Sequence, residues 1–368
     1  MNTVPLVDLA AQWRSVGPAV RAAMDEVHAA TSYTMGPQLG RFEEDFARYL
    51  GVERVLGVAD GTRALALILE GLGIGKGDEV VVPAMTFIAT AEAVAMVGAW
   101  PVLADVELDT GLLSPAAAAA AIGPRTRAII AVHLYGQPAD LDALKALSDG
   151  HGLALIEDAC QAHGAYFGGR RVGGHGVASA FSFYPSKNLG AYGDGGAVAT
   201  ADASLAASIA SLRDHGTSSK YVHERLAGTY RLDTLQAAAL AVKLPHLDGW
   251  NQARAEHAAR YQKLLGSIAG LALPAERPGR THVWHLYTVR SPRRDALLAA
   301  LKAEGIGAGI HYPIPLHLQP ALAHLGLAAG GFPAAEEIAG TTLSLPLYPE
   351  LPAGTPERVA AVLTRFRD

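Results

Sequence analysis

Lys187 stands just past Pro185, at the exit of an apolar run from Val177 to Tyr184, and glycines follow at 190, 193, 195 and 196. The run alternates small and aromatic residues as a buried strand does. The glycines let the backbone fold tightly against something close. A lysine there is costly unless it has a chemical task or a route to solvent. Two readings stand. The side chain snorkels from a loop, or desolvation lowers its pKa and leaves a neutral amine to attack a carbonyl and form a Schiff base.

Other chemically capable residues fall at the ends of further apolar runs, where open parallel sheets place their ligands. In DGTRA, Asp60–Ala64, residues Gly61, Thr62 and Arg63 open a helix. Free N–H groups, a hydroxyl and a guanidinium there suit a phosphate; an ordinary turn with an exposed arginine is the alternative. Phe87, in MTFIAT, is either core or a stacking face for a planar ring. EDACQAHGA, Glu157–Ala165, gathers Asp158, Gln161 and His163. An acid at a strand's carboxyl end can keep a pyridine nitrogen protonated, and the charged ring is then an electron sink. Helix capping by Asp158 is the plainer option. Ser182 is available for phosphate, and Cys160 reads as a small buried filler. His311 and His317 lie in a proline-rich loop, GIHYPIPLHLQPAL.

The elements that must position these residues follow from periodicity. Short apolar runs occur at Val55–Ala59, Glu79–Pro83, Pro101–Asp105, Ala128–Leu134, Leu153–Asp158, Ala178–Tyr184 and Gly196–Ala199. Between most of them lie helical patterns, at Ala64–Leu72, Thr90–Val97, Pro115–Ile122 and Leu141–Asp149, after an amphipathic helix at Gln38–Leu50. Strand and helix in alternation predict an α/β fold with a largely parallel sheet covered on both faces. Helices are expected at Ser204–Arg213, Leu235–Leu247 and Trp250–Leu265, with an irregular functional stretch at Asp214–Leu232. A strand at His282–Val289 and a helix at Arg293–Glu304 predict a smaller α+β domain. The boundaries read 1–245 for the large domain and 246–368 for the small one.

Composition narrows the function. The 368 residues are 50% hydrophobic and 18% charged, with a formal net charge of −5 and a mean hydropathy of +0.19. That supports a large core and argues against nucleic acid or an anionic membrane as partner. The single cysteine excludes a disulfide framework and a cysteine-cluster metal site. The opening MNTVPLVDLAAQWR carries Asp8 and no apolar h-region, so no signal peptide is expected. No apolar stretch is long enough to span a bilayer. A cytoplasmic protein without a metal is expected. There is no G-x-G-x-x-G after a strand, no Walker A sequence and no zinc-protease histidine pair.

With these residues in hand, the chain resembles the nucleotide-sugar aminotransferases among the fold-type I pyridoxal-phosphate enzymes. GPQLGRFEEDFARYLGV, DGTRAL, VPAMTFIAT, HLYGQPADLD, IEDACQAHGA, FSFYPSKNLGAYGDGG, RLDTLQAA, HYPIPLHLQPA and LSLPLYPELP occur in the family's order. The resemblance implies pyridoxal 5′-phosphate as cofactor and a homodimer with active sites at the subunit interface. It implies Lys187 as the Schiff-base lysine, Asp158 at the pyridine nitrogen and Gln161 near the ring hydroxyl. Phe87 would cover the ring, and Gly61, Thr62, Arg63 and Ser182 would hold the phosphate. His163, Tyr184, Arg231, His311, Tyr312 and His317 are expected at the substrates. Similar enzymes read Gly-x-Asn-x-Arg before the Leu-Asp stretch, the asparagine reaching the partner's phosphate. Here Ala227 and Thr229 take the glycine and asparagine places and Arg231 fits. Thr229 donates one hydrogen bond at shorter reach, with Arg63 placed to compensate.

The function implied is transfer of an amino group from glutamate to a ketone of a nucleotide-linked 6-deoxyhexose, with a dTDP-3-keto sugar ahead of a 4-keto one. A sugar dehydratase on the same scaffold is the rival, but such lyases carry histidine in place of Lys187. A non-catalytic, cofactor-binding regulator is the other.

Overall fold

The computed structural model describes residues 3–365; Met1 and Asn2 of the opening stretch and the last three residues lie outside the described residues. Among the described residues one sheet has seven strands. They are β1 (Arg54–Val58), β2 (Glu79–Pro83), β3 (Trp100–Ala104), β4 (Thr126–Val132), β5 (Ala154–Asp158), β6 (Ala178–Ser182) and β7 (Gly196–Thr200). Each of the seven expected runs became one of these strands. Their spatial order is β1-β7-β6-β5-β4-β2-β3. Only β7 runs antiparallel to its neighbours, β1 and β6; the other pairings are parallel.

The sheet is buried on both faces, as a parallel sheet requires. One side packs Leu65, Val80, Ile130 and Val198 into a single cluster. The other packs Phe42, Phe46, Phe181 and Phe183, whose rings meet edge to face or stacked at 5.1–5.7 Å. The helices are α1 (Leu9–Ala30), α2 (Pro37–Leu50), α3 (Gly61–Gly71) and α4 (Ala89–Met96), followed by others further on. α3 buries Ala64 through Leu69 without a break. A helix apolar on all sides belongs inside, and it lies between the sheet and its neighbours.

Three elements differ from expectation. α1 was not legible, because Gly17 and Pro18 break its pattern; Asp8 caps it through Ala11 N–H at 2.9 Å. It buries Val16 and Val20 against Ala239. The irregular stretch holds a small hairpin, Thr217–Ser219 with Val222–His223, before rejoining β1 at the Val58–Arg231 bridge. The expected strand at His282–Val289 begins only at Tyr287: β8 (Tyr287–Arg290) pairs antiparallel with β9 (Thr342–Leu345). Before it, His282–Leu286 is tied to the large sheet's loops, Val283 N–H to Gly136 O at 3.0 Å and Leu286 N–H to Tyr135 O at 3.3 Å. A separate cluster of Tyr261, Tyr287, Leu301, Leu343 and Val359 underlies β8 and β9.

Two glycines bring the strand ends together. A Cβ on Gly196, at the start of β7, would overlap the Asp60 carbonyl, and one on Gly61 would sit 2.8 Å from both Cys160 Sγ and Ser182 Cβ. Backbone cannot yield as a flexible side chain can. Gly196→Ala should therefore destabilise the protein by roughly 1–3 kcal/mol, the usual cost of overpacking, read as a lower urea midpoint. An unchanged midpoint would contradict this close approach.

Candidate active site

At the carboxyl ends of the parallel strands lies a cavity of about 740 Å³. Asp60, the residue before α3, caps that helix by accepting from Arg63 N–H at 2.8 Å. Gly61 and Thr62, the first helical residues, line the cavity beside Ser182 from the end of β6. Unpaired N–H groups at a helix start favour an anion. The Ser182 oxygen accepts from Tyr184 N–H at 3.3 Å, which leaves its own proton to donate.

Asp158 ends β5 and is buried. Its Oδ2 accepts from Thr90 Oγ1 at 3.0 Å and its Oδ1 from Cys160 N–H at 3.2 Å. Thr90 spends its proton on Asp158, so Thr86, 3.2 Å away, donates to Thr90 in turn. Gln161 Oε1 accepts from Tyr135 N–H at 2.7 Å, and its Nε2 donates to Tyr312 OH at 3.1 Å. The Tyr312 ring lies 5.6 Å from that of Phe87. Lys187 lines the same cavity. Burial lowers its pKa below the ordinary lysine value, against the pull of Cys160 and Asp158 in the other direction. Its amine therefore loses its proton at a lower pH than an exposed lysine does.

The structure brings Gly61, Thr62, Phe87, Asp158, Gln161, Ser182, Tyr184, Lys187, His311 and Tyr312 into one cavity wall. Five other expected residues fall outside it. The Arg63 guanidinium lies over the Tyr230 ring at 4.8 Å, because successive helical positions face different ways and Arg63 is turned from the wall that Gly61, Thr62 and Leu65 line. His317 is buried against Glu336, Nε2 to Oε1 at 3.0 Å, and beside Phe332. Thr229 is exposed, and Arg231 pairs with Asp214 at 2.7 Å. His163 is fully buried, its ring centroid 5.5 Å from Phe181 and 5.8 Å from Phe183. Among residues not anticipated, Thr90 and His285 line the cavity. A hydroxyl at a predicted helix start and a histidine inside an apolar run were the available signals.

These groups fit pyridoxal phosphate. The start of α3 at Gly61, with the Thr62 and Ser182 hydroxyls beside it on the cavity wall, suits a phosphate. A carboxylate fixed as that of Asp158 is would suit a protonated ring nitrogen, and an amine placed like that of Lys187 would suit an aldehyde. The fold and site define a fold-type I pyridoxal-phosphate-dependent aminotransferase.

Residues 16–364 match the DegT/DnrJ/EryC1/StrS aminotransferase family, and the chain belongs to it. It is 48% identical, over 95% of its length and 92% of the relative's, to a Streptomyces venezuelae protein named dTDP-3-amino-3,4,6-trideoxy-alpha-D-glucose transaminase. It is 44% identical, over 99% and 98% of the two chains, to a Geobacillus stearothermophilus protein named pleiotropic regulatory protein. The solved structure of S. venezuelae DesV in complex with a ketimine intermediate superposes with a TM-score of 0.98 at 46% identity. That match covers 100% of this chain and 99% of the other.

Burial of His163 has a consequence in acid. Burial first, then the charge of Lys187, lower its pKa from 6.5 to about 3. Between those values the unfolded chain binds the extra proton, so stability falls as pH drops through 6.5, by about 1.4 kcal/mol per unit. His163→Phe should shrink the stability loss between pH 7 and pH 5 by about 2 kcal/mol, read from urea midpoints. An equal loss in both proteins would contradict the buried neutral imidazole.

Proposed function

We propose that the protein transfers an amino group from glutamate to the C3 ketone of a dTDP-linked 6-deoxyhexose, working as a cytoplasmic homodimer. The chemistry rests on one observation, the cavity that holds the desolvated Lys187 amine beside the hydrogen-bonded Asp158 carboxylate. Bound there, pyridoxal phosphate supplies an aldehyde that exchanges amines and a ring that draws electrons from the bond being broken. Lys187 Nζ takes the proton from the donor's Cα as general base and returns it as general acid. Asp158, fixed by Thr90 and Cys160 N–H, keeps its charge directed at the ring nitrogen. Phe87, with Tyr312 beside it, covers one side of the cavity. The hydroxyls of Thr62 and Ser182 and the start of α3 hold the phosphate.

The choice of sugar follows the S. venezuelae relative, whose name specifies a 3-amino trideoxyglucose carried on dTDP. The single cysteine suits a reducing compartment. With the activity we propose the division into a cofactor domain, 1–245, and a smaller domain, 246–368, supported by the separate cluster around Tyr261 and Leu343.

The homodimer is supported by what the 217–231 segment leaves uncovered. Tyr221 is 84% exposed, and Val222 and Leu226 are exposed beside it, a surface apolar enough to seek a partner. Thr229 and Arg231 lie off their own cavity, which suits delivery to the partner subunit's site.

Two experiments test this reading. With glutamate as donor, kcat/KM for a dTDP-3-keto-6-deoxyhexose should exceed that for the 4-keto isomer by at least about tenfold, the low end of the discrimination that one misplaced group gives. Equal or reversed preference would overturn the C3 assignment. The second pairs Lys187→Ala with Thr229→Trp, a bulky change on an exposed loop. If sites are shared, each heterodimer has one doubly damaged site and one intact site, and regains about half of wild-type activity. Purified heterodimers no more active than either parent would rule out a shared site.

A further inference from the structure

Behind Lys187 lies a hydrogen-bonded set that the amino transfer above does not use. Asn188, the next residue, is buried. Its Nδ2 donates to Val283 O at 2.8 Å and to Asn251 Oδ1 at 2.8 Å. Asn251 Nδ2 donates in turn to His163 O at 2.8 Å. Main-chain carbonyls only accept, so both amides have one possible orientation. Asn188 Oδ1 is thereby left toward His285 Nδ1, 3.2 Å away. An amide oxygen only accepts as well, so Nδ1 must carry the ring proton.

His285 is 9% exposed and lines the cavity. Burial, then the positive charges of Lys187 and Arg254, push its pKa well below the ordinary histidine value. The ring is neutral, and its lone pair sits on Nε2. Among the described residues Nε2 meets no donor. A nearly buried acceptor without a partner at the wall of a cavity calls for a donor from the ligand.

We propose that His285 is a substrate-binding residue whose Nε2 accepts a hydrogen bond from a hydroxyl group of the keto-sugar substrate. The proposal rests on the sugar reading above. Of the two substrates only the sugar carries hydroxyl donors; the amino donor's N–H donors sit on the nitrogen that reacts at the cofactor, and its carboxylates are acceptors repelled by the lone pair. Asn188 sets both partners in place, since it fixes the imidazole through its side chain and Lys187 through the backbone. The imidazole thus favours the hydroxyl-bearing substrate at a site that two different substrates must share.

The test has two arms on the holoenzyme. In the first, ¹⁵N-histidine NMR, with His285→Phe or His285→Gln as the assignment control, should show a protonated Nδ1 and an unprotonated Nε2. Addition of dTDP-glucose should shift Nε2 and leave Nδ1 in place. A doubly protonated ring, the opposite tautomer, or no response to dTDP-glucose would overturn the proposal. In the second arm, His285→Phe should lower kcat/KM for the keto sugar roughly tenfold to hundredfold, the effect of one lost buried hydrogen bond. The glutamate half-reaction should stay within about twofold, and His285→Gln, which keeps an acceptor oxygen, should recover most of the loss. Equal losses in both half-reactions would overturn it. A wild-type enzyme that turns over no keto sugar would instead strike the functional reading, and the dTDP-glucose response would still decide the role of His285.

Discussion

The amine of Lys187 is held at the end of a buried strand without a salt bridge among the described residues, and the rest of the site follows from that. Burial outweighs the attraction of Asp158 and Cys160, so the amine gives up its proton more readily than an exposed lysine does. A lysine buried almost completely shows the contrast. Lys243 donates to the Gly190 carbonyl and lies over the Tyr192 ring at 4.8 Å. Burial brings its pKa down to about 8, but its proton is engaged in holding the loop that follows Lys187. One lysine is spent on structure so that the other is positioned for chemistry.

Keeping Lys187 desolvated yet reachable requires the strand ends to converge. Gly196 and Gly61 allow this, because any side chain there would collide with the backbone of Asp60 or with Ser182 and Cys160. The pleat of β5 then separates two adjacent acids. Asp158 faces the cavity, whereas Glu157 faces the opposite side of the sheet. Glu157 is fully buried; desolvation opposes its charge, but His133 and the backbone N–H groups of Gly173 and Gly176 hold its pKa down to about 2. His133 Nδ1 accepts from Ala139 N–H at 3.1 Å, so its Nε2 carries the proton given to Glu157. The carboxylate in the cavity is thus backed by a fixed, hydrogen-bonded carboxylate–imidazole pair on the far face rather than by loose loop.

What the sequence made legible was the part governed by local pattern. The seven strands are short, apolar and bounded by turns, and the stretches after β1, β2, β5 and β6 supply most of the cavity wall. What escaped was governed by tertiary contact. Arg63 looked like a phosphate ligand by type and position, but helical geometry turns it onto Tyr230, a residue distant in sequence. His163 belongs to the same short stretch as Asp158 and Gln161, yet Phe181 and Phe183 enclose it. His285 sits in an apolar run that reads as strand; only the tertiary fold, with Asn188 hydrogen-bonded to Val283 O and to the His285 ring, brings it to the cavity wall. α1, interrupted by Gly17 and Pro18, is secured by packing on a helix more than 200 residues later, which no local window can reveal.

We propose Lys187, and not the buried Lys243, as the amine that meets the cofactor. The assignment can be read directly by loading the protein with pyridoxal phosphate, reducing with borohydride and locating the added mass on peptides by mass spectrometry. A phosphopyridoxyl group is expected on the peptide that contains Lys187, and none on Lys243. Label on Lys243, or no stable label at all, would contradict it.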